Sequence, residues 1–239
     1  MAAIIYISAI LPSLAWLIFY LRKDEEPEPK RMILKVFLLG ALFALPALFF
    51  QDFFNQILFP LWGEPLFLWQ IISLTIFSTF FVVAFSEELM KYMAMVAGAL
   101  RTSDMDEPVD LIIYMITAAM GFAAFENMLL FSYHPELYPS NLLVITVARF
   151  LSATFLHALA SGIVGYFLVV AFCSSKKILI PIGILTATFL HGFYNLIVPM
   201  INEIFFFLIL VSFLLILALL LSFSIRKAKE LESICKMKG

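Results

Sequence analysis

Four uncharged runs decide what this chain can fold into. Met1 to Leu21, Leu66 to Ser86, Phe150 to Ser175 and Ile204 to Ile225 each reach about the 20 residues that a helix needs to cross a bilayer. Barrel strands would be about ten residues long and alternate in polarity, so the runs point to helices. With 64% of the 239 residues hydrophobic and 13% charged, too few polar residues remain to clothe a water-soluble domain of this size. The expected class is all-α: one integral membrane domain over 1–239, a polytopic bundle of about seven helices near 3–21, 33–50, 66–100, 109–133, 141–172, 178–198 and 203–225.

The net charge of −2 leaves no nucleic-acid footprint, because the cations are segregated by loop. Of the 15 basic residues, all but Lys91 and Arg149 lie in alternate connections: Arg22, Lys23, Lys30, Arg31 and Lys35; Arg101; Lys176 and Lys177; then Arg226, Lys227, Lys229, Lys236 and Lys238 in a tail over 226–239. The positive-inside rule then puts the N-terminus outside and the tail in the cytoplasm. The first helix has its basic cluster after the apolar run, the reverse of a cleavable signal, and is read as a retained span. Cys173 and Cys235 occupy unrelated positions on the cytoplasmic side and are read as two incidental thiols. Asp24 to Lys30, with Pro27 and Pro29 among acids, reads as a solvated linker. Residues 51–65, with Pro60, Trp62, Gly63 and Pro65, fit an amphipathic stretch at the outer surface or a re-entrant loop.

Charges at bilayer depth are costly and persist mainly where they line a cavity or pair with one another, so they are functional candidates. They fall in the segments Phe85-Ser86-Glu87-Glu88-Leu89-Met90-Lys91, Gly121-Phe122-Ala123-Ala124-Phe125-Glu126-Asn127, Arg149 with His157, and His191-Gly192-Phe193-Tyr194-Asn195. His157 and His191 are equally far from Ser174, and Glu88 and Glu126 are equally far from Glu107, so each pair sits at one height in its helical hairpin. All four come out roughly 20 Å above the cytoplasmic mouth of a hydrocarbon core about 30 Å thick. Lys91 is i+4 from Glu87 and i+3 from Glu88, so one ammonium can neutralise one carboxylate and leave the other as a candidate base. The small pairs Ala158/Gly162 and Ser161/Gly165 allow close packing around His157.

These four segments, in this order over 85–195, resemble the successive motifs of the PrsW intramembrane proteases, within the superfamily of CAAX prenyl proteases and bacteriocin-processing enzymes. The resemblance implies a multi-pass cell-membrane endopeptidase with its core over 66–198. The substrate it implies is a single-pass membrane protein such as an anti-sigma factor, which the family's namesake cuts first. Glu126 stands where CAAX proteases have a histidine, which argues against cleavage of prenylated tails.

Two chemistries are left open. In one, Glu87 or Glu88 activates water, His157 or His191 serves as acid or oxyanion partner, and Asn195 donates to the oxyanion, with Glu126, Lys91 and Arg149 in the same layer. In the other, Zn²⁺ is held by Glu88, His157 and His191 with the second glutamate as base. The same residues could also serve a non-catalytic scaffold that binds partner helices, or a proton-coupled transporter. The transporter reading lacks the broken helix pairs of inverted-repeat carriers.

Overall fold

Hydrocarbon offers no hydrogen-bond partners, so a spanning chain must satisfy its backbone within each segment. The computed structural model describes residues 2–62, 67–134, 141–232 and 235, and among these it contains helices and no strand. Nine α-helices follow in order: α1 (Ala2–Leu21), α2 (Lys30–Trp62), α3 (Leu68–Phe77), α4 (Phe85–Gly98), α5 (Pro108–Tyr133), α6 (Leu142–Leu151), α7 (Ala153–Ser174), α8 (Leu179–Ile197) and α9 (Ile204–Glu232). A π-helical turn, Ser78–Ala84, joins α3 to α4, and a short 3₁₀ turn, Val198–Met200, follows α8. Counted as continuous stretches, seven of the described segments are long and apolar enough to cross a membrane. This is a multi-pass membrane bundle.

The bundle is built around α5. Its apolar stretch is 94% buried, that of α6–α7 72%, and those of α2 and α9 22% each, so two helices form the core and the others present large apolar side chains outward to lipid. Without a hydrophobic driving force between helices in lipid, close backbone approach has to supply the contact energy. Gly165 on α7 shows how: a Cβ there would come 2.6 Å from the Cα of Ile112 on α5. Gly121 does the same on the other side of α5, where a Cβ would run into the backbone of Phe37 on α2. The start of α5 is fixed by Pro108 in its first turn and by a capping box in which the Asp110 carboxylate accepts from the Glu107 N–H at 2.7 Å.

Several local features differ from the sequence reading. Residues 51–62 continue α2 without a break, so Gln51 lies inside a membrane helix; Gly63 and Pro65 fall outside the described residues. The expected single helix over 141–172 is broken at Ser152, whose backbone leaves the helical region and whose hydroxyl donates to the Ala148 carbonyl at 2.6 Å. Cys173 and Cys235 are not separate thiols but form a disulfide, with Cα atoms 5.3 Å apart. The packing of α7 against α9 brings the end of one helix to the tail of the other, a proximity hidden by 62 residues of sequence separation. Finally, the linker after α1 is not simply solvated: Asp24 is buried, and Glu28 accepts a hydrogen bond from the Tyr114 hydroxyl on α5.

Candidate active site

Five helices contribute to one polar cluster. Glu87, Glu88 and Lys91 come from the first two turns of α4, Glu126 from α5, Arg149 from the last turn of α6, His157 from α7 and His191 from α8. Glu88 and Lys91 are fully buried, and His157, His191 and Glu87 nearly so. The His157 and His191 rings stand edge to face with centroids 5.0 Å apart. Gly192, next to His191, lets α8 approach the π turn, since a Cβ there would meet the Phe80 ring.

The hydrogen bonds divide the cluster into two linked halves. In the first, Lys91 Nζ donates to Glu88 Oε1 at 2.6 Å, His191 Nδ1 meets the same oxygen at 2.9 Å, and the Ser161 hydroxyl donates to Glu88 Oε2 at 3.2 Å. Both oxygens of Glu88 are therefore engaged. In the second, Arg149 donates to Glu126 Oε1 at 3.0 Å while His157 Nε2 lies 2.8 Å from Glu126 Oε2. Lys91 bridges the halves, with its Nζ 2.6 Å from His157 Nδ1 and 4.0 Å from Glu87 Oε2. The Glu126–Arg149 pairing and the Glu126–His157 contact are present together.

Glu87 is the exception. Its Oε1 accepts from Gln51 Nε2 at 3.3 Å, but its Oε2 is buried without a hydrogen-bond partner and lies 3.7 Å from His191 Nε2. An isolated carboxylate oxygen in such a place is expensive unless something cationic meets it. Charge counting gives the same answer: Glu87, Glu88 and Glu126 face only Lys91 and Arg149 as fixed cations. Ligand atoms from Glu87, His157 and His191 all lie within 4.8 Å of one another, so the donor set fits a Zn²⁺ ion. This trio has Glu87 where the sequence reading put Glu88. His157 would have to exchange its contact with Glu126 or Lys91 for the ion. A cavity of about 20 Å³, lined in part by Gln51, Glu87, Phe122 and Glu126, is large enough for one water between the two carboxylates.

Asn195 is half-buried one turn along α8 from His191, and among the described residues no hydrogen bond joins it to the cluster. Four other residues support the cluster; Asn127, Ser161 and Tyr194 stood in the segments read from sequence without a site role, and Gln51 was not singled out. Asn127, fully buried, accepts from Arg149 Nε and donates to the Ala9 carbonyl at 3.1 Å, which ties Arg149 to α1. Ser161 and Gln51 hold Glu88 and Glu87, as described, and Tyr194 is buried within electrostatic reach of Ser152, Arg149 and Glu126. The usable signal was polarity at bilayer depth: Asn127 adjoins Glu126, and Gln51 would have stood out had the second helix been extended beyond residue 50.

The chain carrying this cluster has relatives among known proteins. Residues 28–221 match the model of the PrsW family of intramembrane metalloproteases. Protease PrsW of Oceanobacillus iheyensis is 30% identical over 229 residues, covering 93% of this chain and 95% of the relative. Protease PrsW of Geobacillus kaustophilus is 29% identical over 191 residues, 79% and 76% of the two chains, and that of Bacillus subtilis 27% over 234 residues, 96% of each. No solved structure matches. The chain therefore belongs to the PrsW family of intramembrane metalloproteases and is a membrane-embedded peptidase acting on membrane proteins.

Proposed function

We propose that this peptidase cuts a single-pass membrane protein of the anti-sigma-factor kind, using Zn²⁺ held by Glu87, His157 and His191. The observation that carries the ligand assignment is the buried, unpartnered Oε2 of Glu87 facing His191 Nε2. Zinc in such a set supplies Lewis acidity toward a water and a peptide carbonyl. Glu88 has a supporting role: by engaging His191 Nδ1 it leaves Nε2 directed at Glu87, the carboxylate–histidine arrangement found behind metal ligands. Lys91 neutralises Glu88 so that this orientation does not add uncompensated charge.

Glu126, held by Arg149 and sharing a cavity with Glu87, is the carboxylate we assign to take the proton from water and return it to the leaving amine. Asn195 is assigned as an amide donor to the developing oxyanion. The basic connections are taken to face the cytoplasm, which puts the scissile bond toward the outer half of the bilayer.

The test is to purify the protein, strip it with a chelator and assay cleavage of a candidate membrane substrate before and after adding Zn²⁺. Activity is expected to vanish and return, with one zinc per chain. Full activity in metal-free protein would overturn the zinc assignment, and unaltered turnover in both Glu87→Gln and Glu126→Gln would remove the carboxylate roles.

A further inference from the structure

A second set of carboxylates lies at the opposite end of α5. We propose that Asp24, Glu107 and Asp110, with Glu28 beside them, bind a hard divalent cation of the Ca²⁺ or Mg²⁺ class. Oxygen atoms from Asp24, Glu107 and Asp110 lie within 4.8 Å of one another. Asp24 is 8% exposed, and its Oδ2 is buried with no hydrogen-bond partner, while its Oδ1 accepts from the Glu26 N–H at 3.3 Å. Asp110 is 1% exposed; its Oδ2 accepts from the Glu107 N–H at 2.7 Å and from the Asp106 N–H at 3.0 Å, and Glu28 accepts from Tyr114.

Among the described residues Asp24, Glu28 and Asp110 have no cation in direct contact. Lys229 acts on Asp24 through space, but its hydrogen bond goes to Glu25 at 2.6 Å, and Arg31 pairs with Asp104 at 3.6 Å. Among the described residues no salt bridge reaches Asp24, Glu28 or Asp110.

The donor atoms choose the ion class. The set is all oxygen, without imidazole or thiolate, and this suits hard cations and disfavours zinc. The ion would join the α1–α2 linker to the first turn of the central helix and so clamp two flanking helices onto α5.

The experiment uses the full chain in detergent, stripped with chelator, then titrated with Ca²⁺, Mg²⁺ and, as a paramagnetic probe, Mn²⁺. Saturable binding of one ion with a dissociation constant on the order of 10⁻⁴ to 10⁻³ M is expected, together with a higher unfolding temperature. Asp24→Asn and Asp110→Asn should each weaken that binding of Ca²⁺ and Mg²⁺ about tenfold or more. Glu28→Gln serves as the milder variant if the other two fail to fold, and the wild-type titration stands without any of them. Absence of binding and of a thermal shift with all three ions, or wild-type titrations in the variants, would overturn the proposal.

Discussion

At Glu126 three carboxylates meet two fixed cations and two imidazoles; at Asp110, sixteen residues earlier on the same helix, carboxylates from Asp24, Glu28, Glu107 and Asp110 gather beside a tyrosine hydroxyl, with Lys229 acting on Asp24 only through space. At 1.5 Å per residue the two acids are roughly 24 Å apart along α5. The first group lies deep in the bundle, where every charge needs a partner; Glu88 and Glu126 have close ones in Lys91 and Arg149, whereas Glu87 Oε2 has only the longer contact to Lys91 at 4.0 Å and no hydrogen bond. The second lies where a helix begins and a linker returns. The contrast teaches that the unbalanced charge in the first group is small and localised at Glu87, whereas in the second it is spread over several carboxylates.

The strongest way to break this contrast is to exchange the consequences of the two ends. Glu87→Gln should reduce cleavage on the order of 10³-fold or more with helix content unchanged by circular dichroism. Asp110→Asn should leave zinc content intact; loss of zinc in that variant would show that the ends are not independent. Next in size, Glu88→Gln should lower zinc affinity about 10- to 100-fold by releasing His191 Nδ1, measured by competition with a chelating dye, and unaltered affinity would remove its orienting role. Gly165→Val forces a branched side chain against Ile112 and should destabilise the bundle by about 1–3 kcal/mol in a detergent unfolding assay. The smallest effect expected is that of Tyr114→Phe, which removes the hydrogen bond to Glu28 and should cost about 1 kcal/mol, read in the same assay.

The disulfide provides a separate check on orientation. The Cys173–Cys235 disulfide requires oxidising surroundings, whereas the basic connections assign the same ends to the reducing cytoplasm, so alkylation of intact cells before lysis sets one against the other: both residues trapped as thiols would uphold that orientation. A pair found oxidised in those cells would put the tail outside and reverse the assignment.

What could be read in advance followed from physics that acts locally. The apolar runs and the hairpin arithmetic sufficed for the bundle and for the common depth of Glu88, Glu126, His157 and His191, because rise per residue and bilayer thickness are both fixed. Which carboxylate faces which imidazole was not legible. Glu87 and Glu88 are about 100° apart around α4, and only the placement of α7 and α8 decides that Glu88 turns to Ser161 and Lys91 while Glu87 is left with a free oxygen. The break at Ser152 was also hidden, since neither Pro nor Gly marks it. Asp24 to Lys30 misled only in part: Glu25, Glu26 and both prolines are exposed as a solvated linker should be, but Asp24 is buried and Glu28 meets Tyr114, a contact set by a residue some eighty positions away.

The π turn at Ser78–Ala84 has one more implication, for helical phase. A π turn takes up one extra residue without advancing the helix, so α3 and α4 are offset by one α-helical step, about 100°, from where a continuous helix would put them. Removing a single residue from this turn should let it close as ordinary helix while leaving Glu87, Glu88 and Lys91 aimed as they are. Removing a residue just after it, between Ala84 and Glu87, should instead swing those three side chains out of the bundle. The turn thus acts as a joint that isolates the chemistry on α4 from insertions and deletions in the lipid-facing helix before it.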